Sequence, residues 1–343
     1  MFSAEFFPGG STMASSTSSK RFPALAPEEH AAVATRRVLR ALLVDLEFNQ
    51  AEFLRDAAGD YLHDFRVALR RTRCALRQIK GVFPDAPTRR FLADFAALGK
   101  LSSATRDWEV GLQLLADQAG DHGTALRQPL RLALPAVQFL YMQRYAAAKE
   151  SLKTHLLSAE HQRLLQDWQA FIHAKPDPSQ APPRAAQPIQ QRVDQRIAKL
   201  YRRALDESHA LNGQSPPEAW HALRKTCKNL RYLLELFHSL YPARRHRQLV
   251  ALLKRVQEQL GTYQDCQVQI AAVLQLADEA GILALGAAAA ETAPAAAPLP
   301  PGALLAMGAL LQHWNQQTDA ARAGFQQRFA RLAASKTWRQ VFR

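Results

Sequence analysis

Two basic segments of this chain repeat each other position by position at a distance of 158 residues. A shift by that distance, without a gap, places His63 on His221. It also aligns Arg66 with Arg224, Arg70 with Lys228, Arg73 with Arg231, Leu76 with Leu234, Phe83 with Tyr241, and Pro84 with Pro242. The register continues to Asp107 on Asp265. Because the matches fall on charged and helix-ending positions, the sequence predicts duplication of a half-molecule.

Helical periodicity dominates the rest of the chain, and strand-like alternation is scarce. We expect an all-α protein with helices over 27–56, 60–83, 87–119 and 130–174, the last broken near Ser158, and over 189–211, 217–240, 243–280 and 302–334. Two groups of about four helices with short connections predict two antiparallel four-helix bundles related by internal duplication.

Composition shifts mark the boundaries of these two groups. We predict a disordered Ser/Thr/Gly-rich arm over 1–26, a first bundle over 27–174 and a second over 189–343. The prolines of 175–188 predict a linker between the bundles, and the Ala/Pro-rich segment 284–301 predicts a mobile loop.

The overall charge indicates an anionic partner. The formal net charge is +14 and the pI is near 10.1, and a field of that sign attracts polyanions. The three cysteines, Cys74, Cys227 and Cys266, are far apart, which argues against a disulfide framework and favours a reducing cytoplasm. No apolar run is long enough for a transmembrane segment.

The first repeated helix carries its cations on one narrow face. At 100° per residue, Arg66, Arg70, Arg73 and Arg77 fall within about 60° of one another, and we call them the first basic stripe. Arg224, Lys228 and Arg231 form the second basic stripe. Acids that would offset like-charge repulsion are nearly absent from both stripes. We therefore favour an anion-binding face over a merely solvated surface.

Phosphate suits these stripes best. The arginine fork matches two phosphate oxygens and stays charged. Cations that recur at each helical turn would meet successive groups of a linear phosphate chain. A histidine such as His63, beside several arginines, should be neutral until the anion arrives.

Two alternatives stay open on the same residues. His63-Asp64 resembles the central pair of a metal-dependent phosphohydrolase, for which His30 and Asp107 could supply the remaining ligands. The second copy has Ala222 in place of the aspartate, which argues against that reading. The other alternative is nucleic-acid binding through the same cations. We expect Asp107 and Asp265 to be structural, each tying a helix to its neighbour.

The segments HDFRVALRRTR, ATRDWEV, HALRKTCKNLRYLLE and LGTYQDCQV together resemble the CHAD family, the conserved histidine α-helical domain. The second copy departs from the usual pattern with Gln264 where an arginine is expected. The resemblance implies a basic central channel between pseudo-twofold bundles. It also implies inorganic polyphosphate as partner, no enzymatic activity, no cofactor or metal, and a place at polyphosphate bodies or storage granules. The implied ligands are His63, Arg66, Arg70, Arg73, His221, Arg224, Lys228 and Arg231, with Arg40, Arg71, Arg77 and Lys225 as weaker candidates.

Overall fold

The computed structural model describes residues 22–119, 128–175, 181–280 and 299–334, and in these ranges it contains helices and no strand. In chain order the α-helices are α1 (Ala31–Leu54), α2 (Tyr61–Gln78), α3 (Asp85–Ala119), α4 (Gln128–Leu157), α5 (Ala159–His173), α6 (Ile189–Ala210), α7 (Pro217–Leu236), α8 (Ala243–Glu279), α9 (Pro301–Ala323) and α10 (Phe325–Ala333). The predicted all-α class is confirmed.

Helix ends follow local chemistry that the sequence shows in part. The predicted break near Ser158 is confirmed, because its hydroxyl accepts a hydrogen bond from the backbone N–H of His161 at 3.2 Å and caps α5. Helix α2 is shorter than the predicted 60–83. It ends at Gln78 because Gly81 adopts φ +74°, a conformation that glycine reaches without steric cost.

The helices of the two halves meet in matching pairs. Helix α1 contacts α6, α2 contacts α7, α3 contacts α8 and α4 contacts α9. Each of these four helices therefore packs against the helix that occupies the corresponding place in the other half. Descent of the halves from one duplicated sequence stays a prediction.

Two apolar cores hold the helices together. The larger core joins α1, α2, α5, α6 and α7 with the first halves of α3 and α8 and with α10, and includes Leu46 and Leu233. The smaller core joins the second halves of α3 and α8 with α4 and α9, and includes Leu115 and Val273. Both cores take residues from before and after the proline-rich segment, so the two halves bury their apolar faces together.

The segment before α6 caps the start of α1, and the segment before α1 caps the start of α6. The N–H groups of Ala31 and Ala32, at the start of α1, donate to the carbonyls of Gln187 and Ala185 at 2.8 and 3.0 Å. The N–H of Ile189, at the start of α6, donates to the carbonyl of Glu29 at 2.9 Å. These bonds satisfy helix donors that have no intrahelical partner. We call this arrangement the reciprocal start.

The prediction of a disordered arm over residues 1–26 is wrong for the segment just before α1. Phe22 and Leu25 are buried and belong to the larger core, so residues 22–26 are packed rather than disordered. Residues 1–21 of that arm lie outside the described ranges, as do 176–180 of the predicted linker and nearly all of the predicted loop 284–301. Residues 181–188 pack on α1.

Among the described helices, none has the length and apolarity needed to cross a bilayer. Cys74, Cys227 and Cys266 are free and buried. Burial raises the pKa of the thiols of Cys74 and Cys227 to about 12. The expected cytoplasmic location stays a prediction.

Candidate anion-binding cleft

The first basic stripe lines one cleft of about 660 Å³ together with Arg224 and Lys228 of the second. Helices α2 and α7 contact each other and supply most of its cations, while α3 and α8 supply the remaining walls. Nine of the residues that the sequence nominated as ligands line this cleft: His63, Arg66, Arg70, Arg73, Arg77, His221, Arg224, Lys225 and Lys228. The structure thus brings residues 158 positions apart into one site.

Arg231 and Arg71, both nominated as ligands, do not line the cleft. Their guanidinium groups bind the same buried carboxylate, that of Glu235, with N–O distances of 2.6 Å for Arg71 and 3.2 Å for Arg231. The Arg71 guanidinium also lies over the rings of Phe22 and Tyr232. This cluster joins α2 to α7. Its carboxylate offsets the charge of arginines that the helical pattern had predicted to bind the ligand.

Arg40, one of the weaker ligand candidates, lies away from the cleft. Its Nε donates to the carbonyl of Ile172 at 3.2 Å, near the carboxyl end of α5. A cation there satisfies a free carbonyl and interacts favourably with the helix dipole. Arg40 therefore contacts α5 and does not line the cleft.

Arg66 is held by neutral oxygens of α3. Its guanidinium donates to the carbonyl of Gly99 at 3.3 Å, to Oγ of Ser102 at 2.9 Å and to Oγ of Ser103 at 3.1 Å. Burial, followed by the charge of Arg70, lowers the pKa of Arg66 to about 10. The group therefore remains a fixed cation at neutral pH, oriented without being neutralised.

Three other guanidinium groups of the cleft have buried, unused donors. Within the described residues, Nε of Arg70, Arg73 and Arg224 has no hydrogen-bond acceptor. The carboxylate of Asp265 lies 3.8 Å from the Arg224 guanidinium, beyond hydrogen-bond distance. Because a buried N–H without a partner is costly, these donors indicate that an acceptor enters the cleft from outside.

The two repeated histidines differ in their surroundings. Burial, and then the charges of Arg106 and Arg70, lower the pKa of His63 to about 4, so its imidazole is neutral at pH 7 as the sequence suggested. His221 is exposed, and its Nδ1 lies 2.9 Å from Oε1 of Gln264. The amide oxygen is an acceptor, so Nδ1 of His221 carries the proton.

Lys228 is the most strongly perturbed cation of the cleft. Burial lowers its pKa to about 6, and the charges of Arg224 and Arg70 act in the same direction, whereas Asp265 opposes them. Much of the Lys228 population is therefore neutral at pH 7. An anion in the cleft would restore its charge.

The predicted structural acids, Asp107 and Asp265, both line the cleft. Burial raises the pKa of each carboxyl above its usual value. The charge of Arg66 opposes this rise at Asp107, and the charge of Arg224 opposes it at Asp265. The carbonyl of Asp107 accepts from Nε2 of Gln269 at 3.0 Å, which joins α3 to α8. Their structural role stays a prediction.

The helical pattern missed several lining residues on the cleft walls. Lys100 and Ser103 of α3, Asn229 and Tyr232 of α7, and Gln264 of α8 all line the cleft. Lys100 precedes Asp107 by seven residues, which places both on one helix face. Applying the helical period to α3 as well as α2 would have found it.

The arrangement assumed by the metal-enzyme alternative does not form among the residues that the structure describes. Within them, no group of three or more His, Cys, Asp or Glu side chains could hold a metal ion. Asp64 is exposed in the first turn of α2, where an acid is favourable, and His30 precedes α1 with its backbone paired to Pro188.

The fold and cleft define an all-helical protein whose two halves share one basic cleft. The CHAD domain family model matches residues 37–274, and the chain belongs to the CHAD domain family. The crystal structure of the CHAD domain from the plant Ricinus communis superposes with a TM-score of 0.69 at 24% identity, covering 92% of this chain and 97% of that one. PptA from Streptomyces chartreusis gives 0.66 at 16% identity, covering 88% and 99%. No curated protein matches.

Proposed function

We propose that this protein binds inorganic polyphosphate in the cleft and does so without catalysing a reaction. The observation that carries the proposal is the set of buried, unpaired guanidinium donors of Arg70, Arg73 and Arg224 in one cleft. These donors need an acceptor that is anionic, rich in oxygen and narrow enough to enter between α2 and α7. A linear phosphate chain has all three properties.

The charge balance of the cleft supports a polyanion over a single small anion. Arg66 is oriented by neutral acceptors, and the Nε groups of three other cleft arginines have no acceptor among the described residues. Several cations at successive helical turns therefore remain available for successive phosphates. Each contact of this kind is a charge-assisted hydrogen bond, roughly twice as strong as a neutral one.

The test replaces one cation from each stripe. The double variant Arg70→Gln with Lys228→Gln should weaken binding of long-chain polyphosphate by about a hundredfold, because two charge-assisted contacts are lost. The matched control is Arg89→Gln with Arg247→Gln, which removes two exposed cations that also lie 158 residues apart and do not line the cleft. Titration calorimetry measures both.

Equal affinity of the two double variants would overturn the proposal. Two further measurements separate the alternatives. Release of orthophosphate or shortening of the chain, with or without divalent metal, would indicate a phosphohydrolase. Displacement of polyphosphate by duplex DNA or RNA at similar concentration and salt would indicate a nucleic-acid site.

Binding of this kind suits a targeting or organising role. A protein that holds polyphosphate without consuming it can attach to polyphosphate bodies or storage granules. We include that role in the proposal, and the cleft variants test it, since a fluorescent fusion carrying Arg70→Gln and Lys228→Gln should lose attachment to such bodies in cells.

A further inference from the structure

A chain of basic hollows leads out of the cleft along α6. The first hollow, of about 410 Å³, lies between α6, α7 and the end of α2, and shares Arg77, His221 and Lys225 with the cleft. The second, of about 280 Å³, shares Lys80 and Arg196 with the first. The cleft and the two hollows therefore adjoin one another in that order.

Six cations line these hollows beyond the cleft, and one of them, Arg203, pairs with Glu207. We call the other five the α6 path: Lys80, Arg184, Arg192, Arg196 and Lys199. Arg192, Arg196 and Lys199 follow the helical period, and the opposite face of α6 is buried in the larger core. Among the described residues that line the two hollows, Glu218 is the single acid.

The guanidinium groups of the α6 path are positioned by neutral acceptors, as Arg66 is in the cleft. Nε of Arg196 donates to Oε1 of Gln78 at 2.5 Å. Arg192 donates to Oε1 of Gln195 at 2.9 Å and to the carbonyl of Lys80 at 3.3 Å, while its Nε is buried without an acceptor in the described structure.

The cations of the α6 path repel one another, and neighbouring carboxylates do not offset their charge. Burial lowers the pKa of Arg192, and the charges of Arg184 and Arg196 lower it further. Nearby acids are committed elsewhere: Asp194 accepts from the hydroxyl of Tyr241 at 2.7 Å, and Glu207 pairs with Arg203 at 2.6 Å. The path therefore costs stability unless an anion occupies it.

The path exists on one side of the molecule only. Shifted by 158 residues, Arg192, Arg196 and Lys199 fall on Ala34, Val38 and Ala41 of α1. The two halves thus share the cleft, but the three helical cations of the path have apolar counterparts on α1.

We propose that the α6 path binds the distal part of a long polyphosphate chain whose proximal part lies in the cleft. This inference rests on the proposed function and adds a chain-length preference to it. From Arg192 to Lys199 the helix extends the site by about 10 Å. A chain long enough to leave the cleft gains contacts that a short one cannot reach.

The experiment compares tripolyphosphate with long-chain polyphosphate. The triple variant Arg192→Gln, Arg196→Gln, Lys199→Gln should weaken long-chain binding by about tenfold or more and reduce the salt slope of its affinity by about 2. Tripolyphosphate affinity should stay within about twofold. The control replaces Arg202, Arg247 and Lys254, three exposed cations outside the cleft and hollows, with glutamine.

The outcomes separate this inference from the proposed function. If the unaltered protein binds neither phosphate, the proposed function fails. If it binds both and the triple variant matches its control on long chains, the α6 path fails while the cleft assignment stands. A loss of single-stranded RNA binding with polyphosphate unaffected also overturns it. Should the triple variant unfold, Lys80→Gln with Lys199→Gln replaces two exposed side chains and keeps the test.

Discussion

Lys228 shows how the cleft exchanges charge with its ligand. The ammonium is taken out of water beside Arg224 and Arg70, which lowers its pKa to about 6. The interior phosphates of a long chain are strongly acidic and would raise that pKa on binding. A complex with polyphosphate would therefore hold a proton that the free protein has lost at neutral pH.

This exchange predicts a pH dependence of binding. Above about pH 6, Lys228 must take up a proton before it contacts phosphate, so affinity should fall by up to about tenfold per pH unit as pH rises towards 8. Calorimetry in buffers of different ionisation enthalpy measures the proton uptake directly. Lys228→Arg carries a permanent charge and should flatten the profile; an unchanged slope in that variant would contradict the role of Lys228.

At the scale of single residues, the sequence predicts position on a helix better than it predicts partners. Periodicity placed Arg73 and Arg231 on equivalent stripes, yet of the two only Arg73 lines the cleft, because Arg231 pairs with the carboxylate of Glu235, which also binds Arg71. That pairing depends on how α2 crosses α7, which a pattern within one helix does not contain.

At the scale of helices, the ends were predictable where the signal is local. Ser158 caps α5 through its own hydroxyl, so the break could be inferred from a short segment. The α6 path escaped prediction because repetition was the criterion that singled out α2 and α7. The corresponding positions on α1 are Ala34, Val38 and Ala41, so no repeat marks it.

Helix α3 passes its neighbours closely at Gly111, which gives a stability prediction for an element. A Cβ at Gly111 would lie 2.5 Å from Oε1 of Gln269 on α8 and 2.5 Å from the ring of Tyr141 on α4. Gly111→Ala should therefore lower the free energy of unfolding by about 1–3 kcal/mol, because both buried neighbours must shift. Thermal or urea unfolding measures the change.

The control for Gly111 is another helical glycine with open space around it. A Cβ at Gly261 on α8 would meet nothing within 4 Å. Gly261→Ala should raise the free energy of unfolding by up to about 1 kcal/mol through helix propensity. Equal effects of the two substitutions would show that the close approach at Gly111 is absent.

At the scale of the molecule, shared cores make the two halves interdependent. Both apolar clusters contain residues from each half, and the Arg71–Glu235 pair joins α2 to α7. We expect fragments 22–175 and 181–334 to lack cooperative unfolding when produced separately, and to recover it with polyphosphate binding when mixed. Circular dichroism melts and calorimetry measure both. A separate fragment that melts cooperatively at the intact protein's temperature would contradict this.

The reciprocal start has a consequence for synthesis on the ribosome. The first N–H groups of α1 await the carbonyls of Ala185 and Gln187, which are translated long after them. At about 5–20 residues per second, that delay is on the order of ten seconds or more. During it the nascent first half carries an unfinished helix and an apolar face meant for α6. We therefore expect the growing chain to depend on chaperones until its second half emerges.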